Sequence, residues 1–390
     1  MDPITVLLDE VLEDIRPLRD GAPAGYIPEL AAADPERLAL AVVGPRGRVR
    51  AVGDIGHEFT IQSISKPFVL ALALADRGRD AVLRKVGAEP SGEPFNAISL
   101  EPGTGRPANP MVNAGAIATS ALIPGDGVDD RTSRIAAGLS AFAGRSLWVD
   151  EQVYESESAT GDRNRALAHL LRSHGILEGS VDVAVETYFR QCSLLVTVRD
   201  LAVMSATLAF GGVNPVTGER VVAEVVARDV LSIMTSCGMY DFSGEWLLRV
   251  GLPAKSGVSG GLLAVAPSQF GVAAFSPRLD AHGNSVRGIA LLETLAERFG
   301  MHTLEPHDSV AVPAFTVQDT DEGRVLRLGG ELGLAGTERV VAVLRDLAES
   351  LPEGTEVTVD ARDLGRTHSA ALIALRTEFE QMPHGIHLRE

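Results

Sequence analysis

A serine and a lysine stand three positions apart in the stretch Phe59-Thr60-Ile61-Gln62-Ser63-Ile64-Ser65-Lys66-Pro67-Phe68. Residues at i and i+3 share one face of a helix, so a helix beginning near Ser63 sets the Ser63 hydroxyl beside the Lys66 amine. A serine hydroxyl is a weak nucleophile until something takes its proton, and a lysine held neutral by burial can take it. Such a pair arises by chance in many chains, and on an exposed helix it would be inert. Lysine usage gives it more weight. The chain carries 35 Lys plus Arg, yet the lysines are only Lys66, Lys85 and Lys255. Arginine stays protonated in proteins whereas a buried lysine can shed its proton, so a lysine retained in so arginine-rich a chain is expected to serve in its neutral form.

The flanking sequence supplies the elements that must position this pair. Strand-like residues lead up to Ser63, the apolar run Phe68 to Ala75 follows, and Pro67 falls in or near the first helical turn, where few N–H groups have partners to lose. Upstream, Ile4, Leu7, Leu8, Val11, Leu12 and Ile15 mark one face of an amphipathic opening helix. Arg37 to Val43 and Arg48 to Gly53, joined by Gly44-Pro45-Arg46-Gly47, read as a hairpin. Tyr26 sits in the loop-like Gly25-Tyr26-Ile27-Pro28. Downstream, the irregular stretch Gly87 to Asn113 ends at a helix of small residues, and the Asn113 amide either caps that helix or points at a ligand. Glu155, Glu157, Asp162, Arg163 and Asn164 cluster where another helix enters the core, Tyr188 lies near the end of the next, and Leu195 to Leu208 continues in helical spacing. Tyr240 belongs to a second irregular element, Cys237 to Gly244. Lys255-Ser256-Gly257 stands close to the Lys-Thr-Gly element that accompanies Ser-x-x-Lys in serine acyl-transfer enzymes. It runs into Gly257-Val258-Ser259-Gly260-Gly261, whose glycines let backbone N–H groups approach a ligand. Leu262 to Ala266 and Phe270 to Phe275 read as the last strands of the sheet, and Leu291 to Phe299 as a closing helix.

Composition bounds what this machinery can serve. A chain of 390 residues with 45% hydrophobic residues, few aromatics and 40 glycines is expected to be globular, with two domains or one large and one small. The net charge of -17 disfavours a nucleic-acid partner, which clustered cations would have to hold, but does not exclude an anionic small molecule from one pocket. Cys192 and Cys237 lack metal-ligand spacing and read as buried apolar thiols in a reducing compartment. The nine histidines form no metal-binding cluster, so no catalytic metal is expected. With no basic leader and no apolar run long enough to cross a bilayer, a soluble cytoplasmic protein is expected.

Six ordered elements resemble one family. They are Gln62-Ser63-x-x-Lys66, Asn109-Pro110-Met111-Val112-Asn113-Ala114-Gly115-Ala116, Ser156-Glu157-x-x-x-Gly161-Asp162-Arg163-Asn164, Tyr188-Phe189, Ser236-Cys237-Gly238-Met239-Tyr240-Asp241, and Gly251-Leu252-Pro253-Ala254-Lys255-Ser256-Gly257-Val258. From about Tyr26 to Gly300 the chain is similar to the serine-dependent glutaminases, which implies an α+β, β-lactamase/transpeptidase-like fold with an antiparallel sheet and a helical cluster. The resemblance also implies hydrolysis of L-glutamine to L-glutamate and ammonia by a homodimer or homotetramer without a cofactor. Carried over by position, Ser63 is the nucleophile and Lys66 its base. Tyr26, Asn113, Glu157, Asn164, Tyr188, Tyr240 and the Val258 backbone surround the substrate. A glutamine α-ammonium suits Glu157, its carboxylate suits the asparagine amides and tyrosine hydroxyls, and the N–H groups of Ser63 and Val258 suit an oxyanion. Tyr240 is the candidate proton relay to the leaving ammonia, and Lys255 either lends positive potential or orders the proton network. A penicillin-recognising hydrolase of the same fold is the nearest alternative, but the chain lacks a Ser-Asp-Asn element. A non-catalytic amino-acid-binding regulator would leave the filled catalytic positions unexplained.

The catalytic domain is expected to span 1–304, with a linker at 305–312 rich in breaks such as Pro306. Residues 313–390 alternate strands and helices: Phe315 to Val317, Gly323 to Leu328, a helix from about Thr337 to Leu351, Glu356 to Asp360 and a helix from about Ser369 to Gln381. This resembles a STAS domain, a small α/β fold found in anti-sigma-factor antagonists, which implies a protein partner. His368-Ser369-Ala370-Ala371 departs from that family's usual Asp-Ser-Ser-Gly, leaving Ser369 without the family's phosphorylation pattern.

The lysine reading yields a test. Lys66→Arg keeps charge and approximate reach but removes the base, so turnover should fall by roughly 10²- to 10⁴-fold. Lys85→Arg, at a position expected to hold a solvated cation, should be nearly silent, and Lys255→Arg should fall between the two or match Lys66→Arg. Steady-state rates on equally folded proteins decide it: an active Lys66→Arg variant beside a damaged Lys85→Arg variant refutes the reading.

Overall fold

The computed structural model describes residues 3–93, 97–98, 100–305, 314–320, 323–332, 334–350, 357–367, 373, 375–379 and 386–389. Two compact units are present, one of residues 12–293 and one combining residues 1–11 with 294–390.

In the larger unit, strands β1 (Ala39–Val43), β2 (Val49–Gly53), β3 (Phe59–Thr60), β4 (Leu195–Val196), β5 (Ala254–Ser256), β6 (Gly261–Ala266) and β7 (Phe270–Phe275) make two sheets. The main sheet has the order β2-β1-β7-β6-β5 and is antiparallel throughout. β6 and β7 are buried along their whole length, as their near-continuous Ala, Val, Leu and Phe content demands. The expected hairpin forms in register, Val43 opposite Val49 and Ala39 opposite Gly53. β5, at the sheet edge, carries Lys255.

The helices in chain order are α1 (Pro3–Ile15), α2 (Pro28–Ala31), α3 (Ser65–Arg77), α4 (Arg79–Lys85), α5 (Asn113–Leu122), α6 (Val128–Ala143), α7 (Glu151–Thr160), α8 (Asp162–Ser173), α9 (Val181–Cys192), α10 (Val198–Ala209), α11 (Glu224–Cys237), α12 (Ser243–Arg249) and α13 (Val286–Phe299). α10 lies against β1, β6 and β7, while α3 packs with α5, α6 and α11. One apolar core joins these elements through Phe59, Ile64, Phe68, Leu70, Phe142, Leu201, Met204, Leu263 and Phe275. A second, between α5, α8 and α9, is built from Ala114, Ile117, Leu167, Leu171, Val185 and Phe189. No helix among the described residues is long and apolar enough to cross a membrane.

Helical spacing misreads one junction. Leu195 and Val196 form β4 and pair antiparallel with β3, and α10 starts only at Val198, behind a capping box in which Thr197 and Asp200 bond reciprocally. The Leu194 carbonyl accepts from Ile61 N–H, so this backbone is used to support the chain entering Ser63.

The smaller unit contains β8 (Ala314–Thr320), β9 (Gly323–Leu332), α14 (Leu334–Ser350), β10 (Val357–Thr367) and β11 (Ile386–Arg389). Its sheet order is β11-β10-β9-β8, with β8 antiparallel to β9 and the other pairs parallel. Leu326, Leu328, Leu332, Val340, Leu344, Val357, Val359 and Leu375 form its core. Residues 306–313 and Ser369 lie outside the described residues; of the expected last helix, 373 and 375–379 are described and are helical.

Contact between α10 and the sheet requires a glycine at 271, where an added Cβ would lie 2.1 Å from the Ala206 nitrogen and 2.5 Å from the Ala202 carbonyl oxygen. The obstacles are helix backbone and cannot rotate away. Gly271→Ala is expected to destabilise the unit by ~1–3 kcal/mol, the usual range for overpacking. A urea-denaturation midpoint equal to the parent's refutes this packing account.

Candidate active site

The chain turns sharply between β3 and α3. Gln62 adopts φ +50°, unusual for a residue with a side chain, at the start of a short 3-10 turn, Gln62–Ile64, that runs into α3. Such a conformation costs of order 1–3 kcal/mol and persists only where its surroundings hold it. Ser63 follows at once, and Lys66 sits in the first turn of α3, buried to 1% exposure. The Lys66 Nζ donates to Asn113 Oδ1 at 2.7 Å and to the Met111 carbonyl at 3.1 Å. Among the described residues no carboxylate lies within ion-pair distance of it, and burial pulls its pKa down to about 7.

Asn113 opens α5, but it does not cap it: Val112 occupies the cap position without a side-chain bond, and Asn113 points inward. Its Oδ1 also accepts from the Tyr188 hydroxyl at 3.2 Å, and its Nδ2 donates to Asn164 Oδ1 at 3.1 Å. The structure therefore excludes the cap reading of Asn113, whose side chain lines a cavity. Glu157, on α7, is buried and accepts from the Tyr26 hydroxyl at 2.7 Å and from Gln62 Nε2 at 3.2 Å. Burial raises the Glu157 pKa, and these two donors only partly offset the rise. Tyr26 is half-exposed, yet its hydroxyl turns inward onto this carboxylate.

Tyr240, with φ +58°, begins a second 3-10 turn, and its hydroxyl hydrogen-bonds the Ser63 side chain. Its ring lies 3.8 Å from Lys255 Nζ and 5.5 Å from Lys66 Nζ, measured to the ring centroid. Lys255 is fully buried, donates to the Ser256 carbonyl at 2.8 Å, and has a pKa held well below the usual lysine range by burial and then by Lys66. Lys85 behaves differently: its Nζ pairs with Glu178 at 2.6 Å and bonds the Gly175 carbonyl, so the expected solvated cation is a paired one.

A cavity of about 320 Å³ gathers Tyr26, Ser63, Asn113, Glu157, Asn164, Tyr188 and Val258 on one wall system. Tyr240 reaches it through Ser63, and Lys255 stands behind Tyr240. Two residues that sequence reasoning does not single out for the site, Gln62 and the buried thiol Cys192, also line the cavity. Cys192 lies one helical turn beyond Tyr188 on the same face of α9, which is the signal that could have found it. Its thiol is pushed up to about 12 by burial, so it is neutral there.

Against this geometry, the family model described as Glutaminase matches residues 21–304. The chain belongs to the glutaminase family. This glutaminase is 55% identical over 302 residues to the glutaminase of Clavibacter michiganensis, covering 77% of this chain and 93% of that one. It is 44% identical over 372 residues to that of Corynebacterium glutamicum, covering 95% and 89%. Among solved structures, Mglu is 42% identical with a TM-score of 0.77 over 100% of this chain and 98% of its own. Mglu in its glutamate form is 39% identical with the same TM-score, covering 100% and 99%.

A lysine that titrates near neutrality, if it serves as the expected base, gives the activity a pH dependence of definite sign. Below its pKa of about 7 the Lys66 amine is protonated and cannot accept a proton, and above it the amine is free. For this glutaminase kcat/KM should therefore rise with pH through neutrality, falling about tenfold per unit on the acid side. A kcat/KM profile that stays flat between about pH 6 and about pH 8.5 contradicts the assignment.

Proposed function

We propose that the protein hydrolyses L-glutamine to L-glutamate and ammonia through a glutamyl ester of Ser63. The observation that carries this reading is a buried carboxylate, Glu157, held by the neutral donors Tyr26 and Gln62 and facing the same cavity as Ser63. A buried carboxylate is best stabilised by a cation, and the α-ammonium of a free amino acid is one that fits a small polar pocket. The Mglu glutamate form supports a ligand of this class.

Neutral Lys66 takes the Ser63 proton as Oγ bonds to the side-chain carbonyl carbon of glutamine. The resulting oxyanion rests on the backbone N–H groups of Ser63 and Val258. The C–N bond then breaks, and the nitrogen leaves as ammonia with a proton delivered through the Tyr240 hydroxyl. Water adds to the ester, restores Ser63 and releases glutamate. Asn113, Asn164, Tyr188 and Tyr26 orient the α-carboxylate and ammonium, while Lys255 lends the Tyr240 ring its position. No cofactor is required. We further propose that the enzyme works in the cytoplasm as a homodimer or homotetramer. Residues 313–390 form a separate STAS-like module for a protein partner, a reading supported by the β9-α14-β10 unit with its parallel strands.

Incubation with a diazo-ketone analogue of glutamine should place the adduct on Ser63 by mass spectrometry. Free glutamine should release ammonia while N-acetylglutamine, which has no α-ammonium, should release none. An adduct on another residue refutes the nucleophile, and equal hydrolysis of the N-acetyl compound refutes the role of Glu157.

A further inference from the structure

A buried chain of side-chain hydrogen bonds that the proposed chemistry does not use ends at Gln62, the residue before Ser63. Ser120 Oγ on α5 donates to Gln191 Oε1 at 2.7 Å. Gln191 Nε2 on α9 donates to Ser65 Oγ at 2.9 Å, and Ser65 Oγ donates to the Gln62 carbonyl at 2.7 Å. Ser65 and Ser120 are fully buried and Gln191 is 1% exposed, so none of these bonds competes with water. The Cys192 thiol also reaches the Ser65 hydroxyl. The Gln191 amide uses its oxygen as acceptor on the Ser120 side and an N–H as donor on the Ser65 side, and the Ser65 hydroxyl passes its own proton on to the Gln62 carbonyl; the Ser120 hydroxyl also lies 2.9 Å from the Ala116 carbonyl.

The carbonyl that receives this chain belongs to Gln62, the residue in the left-handed conformation. The same peptide plane carries the Ser63 N–H, so fixing the carbonyl fixes that donor. We propose that Gln191 is a positioning residue which, through Ser65, fixes the Gln62 carbonyl and thereby the direction of the Ser63 N–H and hydroxyl. The inference rests on Ser63 as the nucleophile. A strained residue relaxes if its tether is cut, and rotating the Gln62 peptide turns the Ser63 N–H away from where an oxyanion forms. Gln62 is also the donor to Glu157, so the same residue links the ammonium end of the cavity to the reacting end.

A tether of this kind acts on the transition state more than on substrate binding. Gln191→Met keeps the approximate shape but removes both polar atoms, and Ser65→Ala is the smaller change in case the first variant folds poorly. Each should lower kcat by ~10- to 100-fold, the scale of a small misplacement, with KM within about twofold of the parent. The double variant should lose about as much as either single one, since both cut the same tether. Labelling of Ser63 by the diazo-ketone analogue should persist but slow in proportion to kcat. Unchanged kcat in folded Ser65→Ala and Gln191→Met proteins, with only a lowered melting temperature, overturns the proposal and leaves a purely structural role. Independent, multiplying losses in the double variant overturn it as well. If the parent is not labelled at Ser63 at all, it is the nucleophile assignment that fails, and the two failures are thereby told apart.

Discussion

An amine buried without a counter-charge is the constraint around which the site is built. A protonated Lys66 in this position would be costly, and the structure answers by lowering its pKa rather than by supplying a carboxylate. That choice dictates the neighbours. The amine still needs acceptors, and Asn113 Oδ1 and the Met111 carbonyl provide them. Met111 is aimed by Asn109, whose side-chain oxygen accepts from the Met111 and Val112 N–H groups in a compact turn. The helix α5 that delivers Asn113 lies directly on this turn: a Cβ on Gly115 would come within 1.9 Å of the Asn109 carbonyl oxygen. Gly115 is thus required by where the helix meets this turn.

Charge elsewhere follows the opposite rule. Several arginines serve the outer surface, in pairs such as Arg79 with Asp229, Arg134 with Asp76 and Arg249 with Glu293, while Arg50 and Arg287 are buried. Exposed pairs of this type contribute ~0–1 kcal/mol each and hold little of the fold together. The two lysines of the site have no such partner among the described residues, while Lys85 does. Arginine could replace the paired lysine, but at Lys66 a group that never deprotonates would carry its charge into the core.

Strain is concentrated where direction matters. Gln62 and Tyr240 both have positive φ and both begin short 3-10 turns; Ser63 follows the first in the chain and its side chain hydrogen-bonds the second. Buried polar bonds from α3 and α9 hold the first. The second is anchored by Met239 N–H on Ser243 Oγ and by the Asp241 pairing with His282 Nδ1 at 3.0 Å. A turn that is not at its own minimum can present a hydroxyl in a direction that neither strand nor helix allows.

Local signals carried much of this in the sequence. Ser63 and Lys66 were legible as a pair because of their short spacing, although Ser63 stands in the 3-10 turn that precedes α3, and the arginine-rich composition singled the lysines out. The hairpin, the last two strands of the sheet and the opening helix followed from period-two and period-3.6 patterning. Patterning could not show that Leu195 and Val196 pair with β3, because a short strand is set by its partner and not by its own spacing. Nor could it choose between cap and ligand for Asn113, since the residue types are the same and only the direction of the side chain differs. Gln191 carried no sequence signal. Its importance exists only once α3, α5 and α9 are packed so that one amide spans two hydroxyls. The candidate chemistry was thus suggested by residue type and short spacing, which the chain states directly. The pKa of Lys66, the turn at Gln62 and the tether behind it were decided by burial and by contacts between residues more than a hundred positions apart, such as Ser65 and Gln191.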